Sequence, residues 1–285
     1  MHNKQTAEQI IARAQQELAA RRAAEREGRW NNPWGRLLPG LAVAILLAFL
    51  AAPLPLPRKL LLAMGGVCGL RPAHSYFAGA VQLPMESRMV GIYAGFSLTL
   101  IALLVFGRAG ARRLGNRPTI VLLALFFASM AFDGINSTLT ELGLPHLYQS
   151  TNVTRLVTGL LSGIAIAPFL VWLLGVMATP RASGPAQAVV RSPWELLLPI
   201  AACGGFAILV MSEQAAFYYP IALLSVGGVV VVLAMVALLV VLGMSGLDGR
   251  VTRMRQILVP GALALLIAFT VLGLTAAIRW SVTGI

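Results

Sequence analysis

Charge is scarce in this chain. Only 11% of its 285 residues are Asp, Glu, Lys or Arg, whereas 58% are hydrophobic and the mean hydropathy is +0.81. A soluble domain carries roughly 25% charged residues, so the composition excludes an ordinary water-soluble enzyme and indicates an integral membrane protein. Cysteine is nearly absent too. Cys68 and Cys203 are the two present, and their wide separation fits no disulfide framework, zinc site or haem attachment. Each reads as a small buried hydrophobe. Missing as well are a phosphate-cradling glycine loop, a strand-turn-helix serine elbow and a His-Glu-x-x-His zinc signature. No cofactor is expected, and catalysis is the class with least support, so the chain is read as a non-enzyme. The polar N-terminus through Arg36 lacks the short apolar core and cleavage site of a secretory signal, so the first apolar segment is expected to remain in the mature protein.

What the chain does have is long apolar runs. A bilayer core near 30 Å needs about 20 apolar residues in helix. Segments of that kind recur at 36–56, 89–107, 118–135, 155–178, 194–212, 216–243 and 257–279. The run from Leu60 to Leu70 is about half the required length and is bracketed by Arg58, Lys59 and Arg71. It is expected to form a re-entrant or interfacial half-helix. With seven crossings and the N-terminus inside, 16 of the 22 basic residues fall on the inner side. That asymmetry is the signature of the cytoplasmic face. An eighth crossing at 60–70 would put the loop of Arg108, Arg112, Arg113 and Arg117 outside. The expectation is an all-α polytopic protein with cytoplasmic N-terminus and extracytoplasmic C-terminus. Trp30, Trp34, Trp194 and Trp280 fall at span ends, where an aromatic belt belongs. Pro168, Pro199 and Pro220 are expected to mark kinks.

The net charge of +12 would by itself raise nucleic acid as a partner, but its distribution is topological, and no nucleic-acid partner is expected. Residues 1–35 form a separate cytoplasmic arm ahead of the membrane domain at 36–285. Between Thr6 and Glu27, Ile10, Ile11, Ala14 and Leu18 recur at helical spacing with no glycine or proline, which predicts a narrow amphipathic helix. Arg21, Arg22, Arg26 and Arg29 would hold it at an anionic leaflet. Docking onto a membrane-protein partner, or onto a second copy, is the alternative. Glu8, Glu17, Glu25 and Glu27 interrupt the basic residues and disfavour nucleic acid.

Polar residues at membrane depth are costly and usually signal function or helix-helix bonding. They gather in two stretches, both on the outer side of this topology. One runs from Cys68 through Arg71, His74, Ser75, Gln82, Glu86 and Arg88 into the second span. The other runs from Asp133, Asn136 and Ser137 through His146, Tyr148 and Ser150 to Asn152, Arg155 and Thr158. The candidate outer polar cluster is Arg88, Asp133, Asn152, Arg155, Gln82 and His74. The stretches either share one site or each order their own loop. Asp133 is expected to pair with Arg88 or Arg155, and a proton or ion relay through it is the competing role. His74, His146 and Glu86 have no regular ligand spacing, so no metal site is expected. Gly91 and Gly95, and Gly159 and Gly163, each place two glycines on one helix face. They predict that the second and fourth spans pack against one another or against the third.

Within these stretches Cys68, Ser75, Gln82, Leu83, Pro84, Arg88, Gly91, Ile92 and Tyr93 are followed in order by Asp133, Gly134, Ser150, Thr151, Asn152, Arg155 and Gly159. On these residues the chain resembles, over about 60–165, the uncharacterised bacterial membrane proteins grouped as domain of unknown function 2085. The family pattern has His at position 69, Arg at 74 and Cys at 86 and 89. This chain has Gly69, His74, Glu86 and Met89. A Cys-His pair with a Cys-x-x-Cys would look like a soft-metal or redox site, so the departures imply that any such site is lost here. The resemblance implies a bacterial plasma-membrane location and no transferable activity. The leading expectation is an accessory or structural component of a larger membrane assembly. The alternative is a small-solute or ion transporter whose entry is the outer polar cluster.

Overall fold

The computed structural model describes residues 13–18, 20, 34–180, 186–246, 249, 251 and 255–283. Most of the predicted N-terminal arm lies outside these residues; 13–18 and 20 are helical and exposed. Eight helices follow among the described residues: α1 (Trp34–Ala51), α2 (Leu56–Met64), α3 (Ser87–Val105), α4 (Arg117–Glu141), α5 (Asn152–Ala178), α6 (Leu197–Met211), α7 (Tyr218–Met244) and α8 (Arg255–Thr283). The protein is an all-α, multi-pass membrane protein. Six helices, α3 to α8 with the short turns that lead into α6 and α7, are long and apolar enough to cross a bilayer. The span expected at 36–56 is shorter. It is the 18-residue α1, which ends at Ala51, about 27 Å at 1.5 Å per residue. Lys59 Nζ donates to Leu50 O at 2.6 Å, placing a cation on the carbonyl end of that helix, where the dipole favours it.

Helix starts follow from local chemistry. Asn116 caps α4 by accepting from Thr119 N at 3.0 Å. Thr151 and Thr154 form a reciprocal capping box at the start of α5, which satisfies two otherwise orphaned backbone donors. Pro199 and Pro220 are each the third residue of their helix. A short 3-10 turn leads directly into each helix there, so the two prolines sit near the junction of turn and helix, not deep in the span where the sequence placed kinks. Pro168 in α5 and Pro260 in α8 do lie inside.

The centre of the bundle is the contact between α3 and α5, with α4 against α5 and α7 against both α3 and α8. Two glycine faces make it possible. A Cβ on Gly91 would run into Leu156 O, one on Gly95 into Leu160 O, one on Gly159 into Arg88 O and one on Gly163 into Ile92 O. These obstacles are backbone atoms, so the two main chains lie in direct contact through four missing side chains. Gly228 of α7 meets Tyr93 O in the same manner, and Ser97 Oγ donates to Leu224 O at 3.1 Å beside it.

The half-helix expected at 60–70 is α2, two turns long and starting earlier, with Lys59, Leu60 and Met64 buried. The last turns of α8 hold it. Trp280 Nε1 donates to Leu62 O at 3.0 Å, and Arg279 donates to Gly65 O, Cys68 O and Gly69 O. Leu62 O also accepts from Gly65 N at 3.2 Å, and the other three carbonyls lie just beyond the helix end, where intrahelical donors are lacking. Beyond it, Phe77–Ala78 and Val81–Gln82 form a two-stranded antiparallel hairpin not anticipated from the sequence, with Gly79 in the turn at φ +62°. Gly79 N donates to Glu213 O at 2.6 Å, tying the hairpin to the α6–α7 connection.

Substitution should read out the glycine contact. Gly159→Ala is expected to destabilise the detergent-solubilised protein by about 1–3 kcal/mol, the usual cost of forcing atoms into a filled contact. Gly204→Ala, at a helical glycine with nothing within 4 Å, should be neutral or stabilising by up to about 1 kcal/mol. Thermal unfolding of the two variants beside the parent protein checks both.

Candidate functional site

The outer polar cluster is built around Asp133, which is fully buried. The third span was expected to end near residue 135, but α4 runs on to Glu141, so Asp133 sits two turns inside the helix. The extension is possible because polar residues there return their hydrogen bonds to the backbone. Thr138 Oγ1 donates to Gly134 O at 3.0 Å and Thr140 Oγ1 to Asn136 O at 2.9 Å. Gly143, at φ +67°, then ends the helix in the left-handed conformation that suits glycine.

Both Asp133 oxygens are engaged. Arg88 Nη2, from the first turn of α3, reaches Oδ2 at 2.6 Å and also the Asp133 carbonyl at 3.3 Å. Thr158 Oγ1 of α5 approaches Oδ2 at 3.4 Å, and Tyr148 Oη and Ser150 Oγ donate to Oδ1 at 2.7 and 3.0 Å. Of the two arginines the sequence offered, Arg88 is the partner. Arg155, 9% exposed, instead donates to Ser137 Oγ at 2.9 Å and lies 3.9 Å from Glu141. Asn136 folds the loop after α4 back onto the helix: its Nδ2 donates to Tyr148 O at 2.7 Å and its Oδ1 accepts from Leu147 N at 2.8 Å.

A second group sits beside the first. Arg71 bridges Glu86, at 3.1 Å, and Glu141, at 2.8 Å. His74 lies between the same two carboxylates, 3.9 Å from Glu86 and 3.7 Å from Glu141. Asn152 Nδ2 donates to Ala73 O and Ser75 O, and Gln82 Nε2 to Leu70 O and Ser75 Oγ. The two polar stretches therefore bond to one another as well as to themselves. Glu141 was not singled out from the sequence, although it lies eight residues after Asp133 and four after Ser137, spacings that return to one helix face. His146 stands apart from His74, bonded to Leu144 O and Gln149.

The positions where the chain departs from the family pattern are also neighbours. Cys68 Sγ accepts from Glu86 N at 3.2 Å, a Cβ on Gly69 would lie 2.6 Å from Glu86 Oε1, and Met89 is one turn further along α3. Burial pushes the Cys68 thiol pKa up, which keeps it protonated and unreactive. Among the described residues no three His, Cys, Asp or Glu side chains are grouped to hold a metal ion. A shallow pocket lined by Phe132, Ile135, Leu139 and Leu147 opens beside the folded-back loop.

Burial pushes the His74 imidazole below its ordinary pKa, and the Arg155 and Arg71 guanidiniums push the same way against Glu141 and Glu86. The unfolded chain then binds the proton more readily than the folded one. The stabilising contribution is complete above the unfolded value of about 6.5 and is lost as the pH falls through the folded value. His74→Asn should therefore lose less of its thermal stability than the parent between about pH 7.5 and pH 5.5, as checked by unfolding scans across that range. Asn136→Ala should free residues 142–150, seen as faster amide hydrogen exchange in that loop while α3 and α5 stay protected.

No curated protein and no solved structure matches the chain. The arm and the last three spans lie outside the family match, which covers the outer site from Cys68 through most of α5. Residues 68–169 match the family described as "Predicted membrane protein (DUF2085)".

Proposed function

We propose that the protein is a non-catalytic component of a membrane, an accessory or structural part of a larger membrane assembly. The observation that carries this reading is the mutual engagement of the outer polar groups. Asp133 is held by Arg88 and three hydroxyls, Glu86 by Arg71, and Glu141 by Arg71 with Arg155 and His74 nearby. A relay acid must change its charge, and a solute site must leave donors and acceptors for the solute. Here most of those valences are used to join α3, α4, α5 and their loops, with Arg88 Nε and Asn152 Oδ1 the two buried atoms of the cluster left without a partner among the described residues. Asp133 is buried and Glu86 half-buried, while Arg71 and Glu141 tie the exposed rim of the cluster together; polar groups so engaged serve packing.

The same reading places seven crossings in the plasma membrane of a bacterium, with the N-terminal arm on the cytoplasmic side. Basic residues favour that side, and Arg108, Arg112, Arg113, Arg117 and Arg191 are grouped at one end of the bundle. The arm at residues 1–35 is the element proposed to dock on a membrane-protein partner.

Purification of the full chain in mild detergent tests the proposal. A stoichiometric membrane-protein partner is expected, lost when residues 1–33 are deleted while the remaining protein keeps its unfolding temperature. A protein that purifies alone, and whose unfolding temperature rises with one added solute or ion, would contradict it and support transport.

A further inference from the structure

The end of the bundle opposite the Asp133 cluster carries a surface that the proposed assembly role does not use. Two connections meet there. The α3–α4 connection runs beside the α5–α6 connection as a parallel bridge between Arg113 and Ala188. Val189 N donates to Arg113 O at 2.8 Å, Val190 N to Leu114 O at 3.1 Å and Arg113 N to Gln187 O at 3.1 Å. Ala111, Val189, Val190 and Leu196 are buried beneath. Under the plate, Arg108 donates to Glu195 Oε1 at 2.8 Å while Glu195 Oε2 accepts from Arg191 N at 3.0 Å. Both oxygens of Glu195 are thereby engaged.

On top of this frame stand Arg113, Arg117 and Arg191, all exposed and none with an ion-pair partner among the described residues. The backbone bonding fixes their spacing: Arg113 is in the bridge, Arg191 follows Val190, and Arg117 opens α4, against which the Pro193–Leu196 turn packs. Trp194 is 77% exposed, and Leu197, Leu198, Ile120 and Val121 are exposed beside it. An arginine surface bordered by an exposed indole and aliphatic side chains matches the boundary between headgroups and hydrocarbon. A soluble anion would have no use for the apolar border.

We infer that Arg113, Arg117 and Arg191 form a binding site for the phosphate headgroup of an anionic lipid in the adjoining leaflet, with Trp194 and Leu197 against its upper acyl chain. Guanidinium forks suit phosphate oxygens, and basic pockets between transmembrane helices are a known way to hold anionic headgroups. The site is independent of whether the arm engages a partner.

The test uses the full chain in neutral detergent with added lipid, read by thermal unfolding. Phosphatidylglycerol should raise the unfolding temperature, and phosphatidylcholine should not. The variant R113Q/R117Q/R191Q should need on the order of a hundredfold more phosphatidylglycerol for the same shift, as expected from three arginines near an anionic surface. R113Q and R191Q alone should each weaken the response several-fold, which keeps the test readable if the triple variant fails to fold. Equal shifts from the two lipids, or an undiminished response in the folded variants, would overturn the site. A shift reproduced by inorganic phosphate alone would place a soluble anion there and overturn the lipid assignment.

Discussion

The ion pair between the half-buried Arg88 and the fully buried Asp133 is the constraint on which the outer half of the protein depends. The Asp133 carboxylate, buried as it is, would be costly without its cation. Removing one member of a buried pair typically costs about 3–5 kcal/mol because the other is stranded. The pair is made tolerable by hydroxyls from two further elements, Tyr148 and Ser150 of the loop and Thr158 of α5. A single carboxylate thus fixes the mutual position of α3, α4, α5 and the loop after α4. The glycine contact between α3 and α5 supplies what the ion pair cannot, a long dispersion-bound seam in which backbone meets backbone. Direction comes from the polar end and closeness from the apolar middle.

The remaining elements are arranged around that frame by carbonyl groups in need of donors. The short helix α2 would be poorly stable alone, yet its last carbonyls and those just beyond receive Trp280 and Arg279 from the end of α8. The hairpin at residues 77–82 attaches to the α6–α7 connection through Gly79 and Glu213. At the opposite end, Gly249 N donates to Met177 O and Val251 N to Ala178 O, joining the connection after α7 to the end of α5. Each end of the bundle is knitted from segments that the alternation of spans places on one side. That is independent geometric support for the order in which the chain crosses.

Much of this was legible in the residues. Period and length located the long helices, because a lipid-exposed backbone has to satisfy itself. The paired glycines pointed to close packing of the second and fourth spans on one another or on the third, and in the fold they face one another across the α3–α5 seam. The sequence narrowed Asp133 to two arginines and could go no further: Arg88 and Arg155 both open spans from the same side, and helix rotation decides which one faces α4. The length of α4 was underestimated because Asn136, Ser137, Thr138 and Thr140 look like a loop by composition. In the fold they bond within the helix or to its neighbours. The same error hid Glu141, which a helical reading of 133–141 would have put on the face of Asp133 and Ser137. The hairpin carries no strong alternation and is held by tertiary contacts, so local pattern could not reveal it.

The central claim is that Asp133 and Arg88 act as one structural unit. A double-mutant cycle on unfolding free energy in detergent tests it most directly, using Arg88→Met, Asp133→Leu and the two together. Arg88→Met, which strands the buried carboxylate, should cost about 3–5 kcal/mol, Asp133→Leu less because Arg88 keeps contact with solvent, and the apolar pair should recover most of the larger loss, giving a coupling of about 2 kcal/mol or more. Losses that simply add, or single variants as stable as the parent, would contradict the account.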